Sequence, residues 1–382
     1  MMNEIELTKS LINYRSITPE NDGVLEFLEN ELRDIGFNCK RYKFTDKNTP
    51  DVDNLYAKFG NEEPNFCFGG HTDVVPIGDE SAWSFDPFKG SENEGKIYGR
   101  GSSDMKSAIA AFICAAREFI NSNKFKGSIS LLITNDEEGP AINGTKKVLD
   151  KIYSEGEKIA SCLVGEPTSP KNLGEMIKIG RRGSLMATIN VTGKQGHVAY
   201  PQWNLNPIEP LNKIIHELNS LKLDEGSDEF PPSNIEFVNI SSSEGATNVV
   251  PNNASAQLNI RFNTDHTSES LQKLISEIVE KFTKNSDYKS QVDFYCTAEP
   301  FLTQRGKFTS IIKKSVDEIT GLDSDLSTTG GTSDARFFKD YCEVVEFGLV
   351  GKSAHQIDEN VEIEDISKLK NIYKNILKNY FS

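Results

Sequence analysis

The sequence predicts an α/β protein whose main domain is interrupted by a smaller α+β domain. Short apolar, strand-like runs alternate with helical segments at both ends of the chain. Between residues 183 and 298 the pattern of apolar and polar residues changes and predicts half-exposed strands and amphipathic helices in the order βαββαβ. A length of 382 residues is also enough for two domains.

The first part of the main domain, residues 1–182, begins with two segments of helical spacing, 4–15 and 23–35. Four apolar strand candidates follow: NLYAKF, NFCFGG, GSISLLIT and ASCLVG. Between the second and the third lies MKSAIAAFICAAREFI, which is apolar over more than half of a helical surface. Such a helix packs on a sheet, so this part predicts a sheet flanked by helices.

The inserted domain, residues 183–298, has four strand candidates that alternate apolar and polar residues, such as LMATINVTG and SAQLNIRFN. The alternation predicts a sheet with one exposed face. The two helices, IEPLNKIIHELNSL and SESLQKLISEIVEKF, are amphipathic. Apolar runs that alternate with helical segments return over residues 299–382, which are therefore the second part of the main domain.

Composition excludes several classes of protein. A net charge of −15 without a basic stripe excludes a general nucleic-acid binder. The six cysteines are scattered without a CxxC pair, which is typical of a reducing compartment. There is no signal-like N-terminus and no long apolar segment, so we expect a cytoplasmic protein that does not bind membranes.

Candidate metal ligands follow the apolar strands, where open α/β sheets place their sites. They are His71 and Asp73 after NFCFGG, Glu137 and Glu138 after GSISLLIT, Glu166 after ASCLVG, His355 after YCEVVEFGLV, and Asp104 at the start of the apolar helix. Two imidazoles and several carboxylates suit a pair of zinc-like ions that share one carboxylate.

These ligands divide into two sets. His71 and Glu166 can hold one ion, His355 and Glu138 the other, and Asp104 can bridge them. Glu137 can then act as a base toward a bridging water. Asp73 is placed to bond the other imidazole nitrogen of the first histidine and so to fix its tautomer.

Each of these residues also has an ordinary interpretation. A histidine after a strand is commonly part of a polar turn, and an aspartate before a helix is most simply an N-cap. The acidic run DEEG is typical of a solvated turn. We interpret His216, in an amphipathic helix, as structural or solvated, and His266, in a turn, as a surface residue. The conjunction of ligands at successive strand ends is what favours a metal centre.

Ten segments, in order along nearly the whole chain, resemble the superfamily of dinuclear zinc deacylases and exopeptidases that includes aminoacylases, acetylornithine deacetylase and carboxypeptidases. They are GGHTDVVPIGD, Trp83 with DPF, IYGRGSSDMK, TNDEEGPAINGT, GEPTS, GRRGSL, GKQGHVAYP, ATNVVP, GGTSDARF and AHQIDE. GRRGSL, GGTSDARF and the surroundings of His197 favour the members that act on N-succinyl-LL-2,6-diaminopimelate.

The resemblance implies a role for each matching residue. The five zinc ligands are His71, Asp104, Glu138, Glu166 and His355, with Asp104 bridging two Zn²⁺ per subunit, one of which Co²⁺ can replace. Glu137 is the general base, Asp73 the partner of His71, and His197 a lid histidine that stabilises the oxyanion in the neighbouring subunit. The residues that hold substrate carboxylates or polar groups are Arg181, Asn248, Arg261, Thr332 and Ser333.

The resemblance also implies a homodimer formed through the inserted domain, which would serve as dimerisation and lid domain. The expected reaction releases succinate and LL-2,6-diaminopimelate for lysine biosynthesis. Serines replace the usual Ala or Gly at Ser102, Ser103 and Ser107, and the segment before His355 is also unusual. The alternatives are another N-acyl-amino-acid deacylase, a metallo-dipeptidase and, from a different class, a non-catalytic metal-stabilised dimer.

Overall fold

The computed structural model describes residues 1–243, 245–284 and 286–382. The helices are α1 Glu4–Ile12, α2 Val24–Ile35, α3 Lys106–Ser122, α4 Thr145–Ser154, α5 Ile208–Ser220, α6 Ser268–Thr283, α7 Lys307–Thr320, α8 Ala335–Phe338 and α9 Ile363–Tyr380. The strands are β1 Asn38–Asp46, β2 Thr49–Phe59, β3 Asn65–His71, β4 Ser91–Asn93, β5 Lys96–Tyr98, β6 Ser128–Thr134, β7 Ser161–Val164, β8 Met176–Lys178, β9 Gly180–Arg181, β10 Gly183–Thr192, β11 Gly196–His197, β12 Asn234–Ser242, β13 Val249–Val250, β14 Asn253–Phe262, β15 Lys289–Ala298, β16 Phe301–Leu302, β17 Asp325–Ser327, β18 Glu343–Glu346 and β19 Asn360–Glu362.

Two compact units make up the chain. The larger comprises Met1–Ile179, Thr303–Ser327 and Ser333–Ser382, and the smaller comprises Gly180–Leu302 with Thr328–Thr332. The smaller unit therefore begins three residues before the stretch 183–298 and ends four residues after it. It also includes a short later segment that no feature of the sequence indicated.

The larger unit is built on an eight-stranded mixed sheet of order β1-β2-β6-β3-β7-β18-β8-β17. Its centre, β6, β3, β7 and β18, is parallel, whereas β1 and β2 pair antiparallel at one edge. Every residue of β3, β6 and β7 is buried, as expected of strands covered by helices on both faces. The predicted α/β fold class is confirmed.

The helix α3 is buried along most of its length and packs against α1 and α9. Aromatic side chains join these helices to the sheet. Phe68 of β3 stacks on Phe112 of α3 at 4.3 Å between ring centroids, and it meets the edge of Tyr373 of α9 at 5.7 Å. The parallel strands that carry the candidate ligands are therefore held on a rigid core.

Phe68→Ala should lower the free energy of unfolding by about 3–5 kcal/mol, because the deletion leaves a cavity between β3, α3 and α9. The measurement is the shift of the urea unfolding transition. Leu322→Ala is the control, since this leucine is 39% exposed and lies beyond the core. Equal shifts for the two variants would contradict the assignment of the core.

The smaller unit contains an antiparallel sheet of order β12-β14-β10-β15 with α5 and α6 against it, which is the predicted βαββαβ arrangement. In β14, buried and less buried side chains alternate, so one face of the sheet packs on the helices. Its core contains leucines and isoleucines from both helices, such as Leu211, Ile214, Leu271 and Ile275. Across the described residues, no helix is both long enough and apolar enough to cross a bilayer.

Candidate metal centre

The candidate ligands of the larger unit lie at one edge of its sheet. The strands β6, β3, β7 and β18 are adjacent and parallel, so their carboxyl ends meet there. His71 is the last residue of β3, Glu137 and Glu138 follow β6, Glu166 follows β7, and His355 lies beyond β18. Asp104 directly precedes Met105 and α3. The fold therefore brings segments that are far apart in sequence to one place.

Asp104 lies between the two histidines. Its Oδ1 is 3.2 Å from Nε2 of His71, and its Oδ2 is 3.3 Å from Nε2 of His355. Each carboxylate oxygen thus faces a different imidazole. This is the arrangement that a carboxylate bridging two ions needs.

A second carboxylate accompanies each histidine. Nε2 of His71 is 3.6 Å from Oε1 of Glu166, and Nε2 of His355 is 2.8 Å from Oε1 of Glu138. Two ligands of one tetrahedral ion at about 2.1 Å lie about 3.4 Å from each other. The separations around His71 match this value, and the contact of His355 with Glu138 is shorter. The donors around the two histidines are therefore spaced as ligands of divalent ions would be. Ligand atoms of His71, Asp104 and Glu138 also lie within 4.8 Å of one another, so the division of the ligands between two ions stays a prediction.

Close packing of the backbone holds Asp104 beside the strand ends. A Cβ on Gly70, or on Gly165, would lie 2.7 Å from Cε of Met105. Glycine at both positions leaves room for this methionine, which is fully buried, and a larger residue would force the end of the methionine side chain to shift. Met105 follows Asp104 directly, so the two glycines let the start of α3 approach β3 and β7.

Asp73 orients the centre in a different way from the one that the sequence suggested. Nδ1 of His71 bonds the backbone carbonyl of Asp73 at 2.9 Å, while the nearer carboxylate oxygen lies 3.7 Å away. The carboxylate instead accepts the backbone N–H groups of Glu137 and Glu138 at 3.3 and 3.0 Å. Burial raises the pKa of Asp73 to about 6. The residue thus connects the His71 strand end to the acidic loop.

Asp136 shapes the loop that presents the two glutamates. Its carboxylate accepts the backbone N–H groups of Ala141, Ile142 and Asn143, at 3.2, 2.9 and 2.9 Å. Asp136 is therefore a structural residue of the run NDEEG, whereas Glu137 and Glu138, which follow it, are the candidate functional residues.

Glu137 projects a carboxylate toward the first pair of ligands. Its ligand atom lies within 4.8 Å of those of His71 and Glu166. Within the described part of the chain, its carboxylate has no hydrogen-bond or ion-pair partner. Withdrawal from solvent raises the pKa of Glu137 well above its ordinary value, although the nearby imidazole opposes the rise. A carboxyl group of this kind suits proton transfer.

The electrostatics of the centre favour a bound cation. Burial opposes charge on His71, but Asp104, Glu166 and Glu137 outweigh it and raise the pKa of this histidine. Asp104 and Glu138 raise the pKa of His355 to about 10. The surrounding carboxylates therefore stabilise positive charge at the two imidazoles. Divalent ions bound at the same place would be stabilised in the same way.

His197 is an exposed residue of the smaller unit. Its Nδ1 accepts the backbone N–H of Ala199 at 3.1 Å, so the neutral ring carries its proton on Nε2. Nε2 is then a hydrogen-bond donor. The ring also meets Tyr200 edge-on, at 5.5 Å between centroids.

The predicted substrate-binding residues fall into both units. Arg181, Asn248, Arg261 and Thr332 belong to the smaller unit, and Ser333 belongs to the larger. Arg181 donates to the carbonyl of Thr329 at 3.3 Å. The hydroxyl of Ser333 donates to buried Glu346 at 2.6 Å, so its hydrogen is directed into the core.

Two residues at the site were missed by the sequence analysis. Arg100 and Glu359 form a buried ion pair, with 2.7 Å between Nη1 and Oε2. Both lie inside segments that carry the resemblance, IYGRGSSDMK and AHQIDE. Each is a charged residue without an assigned role inside a segment that carries the resemblance, and this combination could have identified both from the sequence.

Histidines and carboxylates gathered at the carboxyl ends of the parallel strands of a mixed sheet are typical of a metal-dependent hydrolase. The model of Peptidase family M20/M25/M40 matches residues 67–379, and the chain belongs to this family. The family assignment agrees with the superfamily resemblance in the sequence.

Curated relatives match the full length of the chain. A succinyl-diaminopimelate desuccinylase of Pelagibacter ubique (strain HTCC1062) is 50% identical and covers 99% of both chains. One of Parvibaculum lavamentivorans is 47% identical, over 99% of this chain and 95% of its own. An M20 family metallo-carboxypeptidase from Sulfolobus solfataricus has the same fold, with a TM-score of 0.78 at 19% identity over 100% of this chain and 99% of its own.

Proposed function

We propose that the chain is a dinuclear zinc hydrolase that converts N-succinyl-LL-2,6-diaminopimelate to succinate and LL-2,6-diaminopimelate, in cytoplasmic lysine biosynthesis. The contact of Asp104 with both histidines is the observation that carries the dinuclear chemistry. The choice of substrate is supported by two relatives named succinyl-diaminopimelate desuccinylase, which are 50% and 47% identical to this chain over 99% of its length.

The ions would be held by His71 and Glu166 on one side and by His355 and Glu138 on the other, with Asp104 between them. When bound, such ions would bring the pKa of a bound water far below its bulk value, toward about 7, and would polarise the amide carbonyl. Either Zn²⁺ in both positions or Co²⁺ in one fits this nitrogen and oxygen donor set.

The protein's own groups then move protons and hold charge. Glu137 takes the proton of the attacking water and returns it to the leaving amine. His197 of the neighbouring subunit donates Nε2–H to the oxyanion of the tetrahedral intermediate. The substrate has three carboxylates, and Arg181 and Arg261 suit them because a guanidinium makes bidentate contacts with a carboxylate.

The homodimer that this role of His197 requires would form through the smaller unit. Its edge strand β12 exposes Val238 and Ile240, at 63% and 61%. An edge strand with exposed apolar side chains is a natural surface for association. The dimer contact would therefore lie on this edge of the smaller unit.

The function is tested by release of succinate from N-succinyl-LL-2,6-diaminopimelate before and after chelation, with Zn²⁺ and Co²⁺ added back. We expect activity to be lost on chelation and restored by either ion. The N-acetyl analogue and a dipeptide are the comparison substrates. Faster turnover of either one would assign the chain to another deacylase or to a dipeptidase, and inactivity on all three would favour the non-catalytic metal-stabilised dimer.

Elemental analysis of the loaded protein should give two divalent ions per chain. His355→Ala should weaken the site formed with Glu138 more than the site of His71 and Glu166, because it removes one ligand from the former alone. His216→Ala is the matched control, on an exposed position of α5. A stoichiometry that never exceeds one ion, even in excess Zn²⁺, would overturn the dinuclear assignment.

A further inference from the structure

The side chains of Arg100 and Glu359 form a buried pair that contacts two of the candidate metal ligands, Asp104 and His355, through their backbone atoms. The Glu359 side chain is 0% exposed and that of Arg100 is 3% exposed. Burying two charges is costly, and a buried ion pair is by itself weak evidence for a contribution to stability. The contacts of this pair with the backbone suggest another role.

Glu359 holds the backbone at the bridging carboxylate. Its Oε1 accepts the N–H of Ser103 at 2.9 Å and the N–H of Asp104 at 3.1 Å. Two consecutive amides on one charged oxygen fix the peptide that precedes the Asp104 side chain. Rotation of this peptide would move both Asp104 oxygens relative to the two imidazoles.

Arg100 connects the same carboxylate to the segment that contains His355. Its Nη1 donates to the carbonyl of Gln356 at 3.1 Å, and its Nη2 lies 3.5 Å from the carbonyl of His355. Nη2 also donates to the carbonyl of Pro76 at 3.4 Å, in the segment after β3. The guanidinium thus joins the segment before α3, in which Arg100 itself lies, to the segment that contains His355 and to the segment after β3. It also lies 5.1 Å from the centroid of the Trp83 ring.

The two histidines depend on this pair to different degrees. His71 is 1% exposed, ends a fully buried strand, and has its own bond from Nδ1 to the Asp73 carbonyl. His355 has a half-exposed side chain and a backbone φ of 64°, a conformation that residues other than glycine rarely adopt. Its position in the segment rests on neighbouring contacts such as those of Arg100.

We propose that Arg100 and Glu359 are positioning residues that set Asp104 and His355 for the second metal ion, the one shared with Glu138. This inference rests on the proposed dinuclear function and deepens it. Neither residue belongs to the two clusters of candidate metal ligands among the described residues. They act through the backbone of Asp104 and His355, so the first ion, at His71 and Glu166, depends on them less.

The test is calorimetric titration of the chelator-treated protein with Co²⁺, together with the visible spectrum of the loaded protein. In Glu359→Gln we expect the first ion to bind as in the wild type and the second to bind about 10–100-fold more weakly, the usual loss when the support of a ligand is removed. The spectrum of the ion at the second site should change, and kcat should fall with KM nearly unchanged.

Ile376→Ala is the matched control, because it destabilises the core through α9 without contacting the centre. It should titrate as the wild type does. Arg100→Lys is a second variant, which keeps the positive charge but loses the fork that reaches Pro76, Gln356 and His355. It should also weaken the second ion, and it keeps the test available if Glu359→Gln does not fold.

Wild-type affinity for the second ion in the folded Glu359 and Arg100 variants would overturn the positioning role, as would an equal loss in Ile376→Ala. Failure of the proposed substrate gives a different pattern. The wild type would then bind two ions without releasing succinate, and the Co²⁺ titrations would still decide the role of this pair.

Discussion

Glu137→Gln should reduce turnover by about 10⁴-fold or more while the protein still binds two ions. Glutamine keeps the shape of the side chain but cannot accept the proton of the attacking water, and general acid–base groups typically contribute about 10²–10⁴-fold. The loss should reach the upper end, because Glu137 is the one base that the proposed mechanism assigns to both proton transfers. The measurements are kcat on the succinylated substrate and metal content by elemental analysis.

The control for this variant is Glu94→Gln, which makes the same chemical change on an exposed turn and should leave turnover unaltered. Glu138→Gln should behave differently, since it removes a contact with His355 and should lower metal content. If Glu137→Gln kept most of its activity, Glu137 would not be the base, and Glu138 would become the candidate.

His197→Ala should lower kcat by about 10²–10³-fold without loss of metal, the usual effect of removing one oxyanion donor. The bond from Ala199 to Nδ1 leaves Nε2–H as the donor, so His197→Gln should restore part of the activity through its amide N–H. His216→Ala, again on the exposed position of α5, should be fully active. Activity of His197→Ala equal to that of the wild type would rule out the oxyanion role.

The action of His197 across the dimer has a sharper test. A heterodimer of one His197→Ala chain and one Glu137→Gln chain should be far more active than either parent. One of its two sites combines the intact Glu137 of one chain with the intact His197 of the other. The heterodimer is obtained by co-expression with two different tags and sequential purification. If it is as inactive as both parents, His197 acts within its own chain.

The sequence alone determined the elements and their class. The runs that became β3, β6 and β7 are short and mostly apolar, which favours buried strands, and α3 is apolar over most of its surface, which favours packing on a sheet. Ligand candidates at strand ends follow from this pattern, because parallel strands bring their carboxyl ends to one edge. The edge strand β1, NCKRYKFTD, is mostly polar and escaped prediction, since it lacks a buried face.

Tertiary structure alone decided how these residues are connected. Asp104 lies between His71 and His355, and the neighbouring Met105 packs against Gly70 and Gly165; no local pattern encodes such contacts. The hydrogen bond of His71 goes to the Asp73 carbonyl, a backbone atom that every residue has. The pairing of Arg100 with Glu359 joins positions more than 250 residues apart, and only the folded chain brings their charges together.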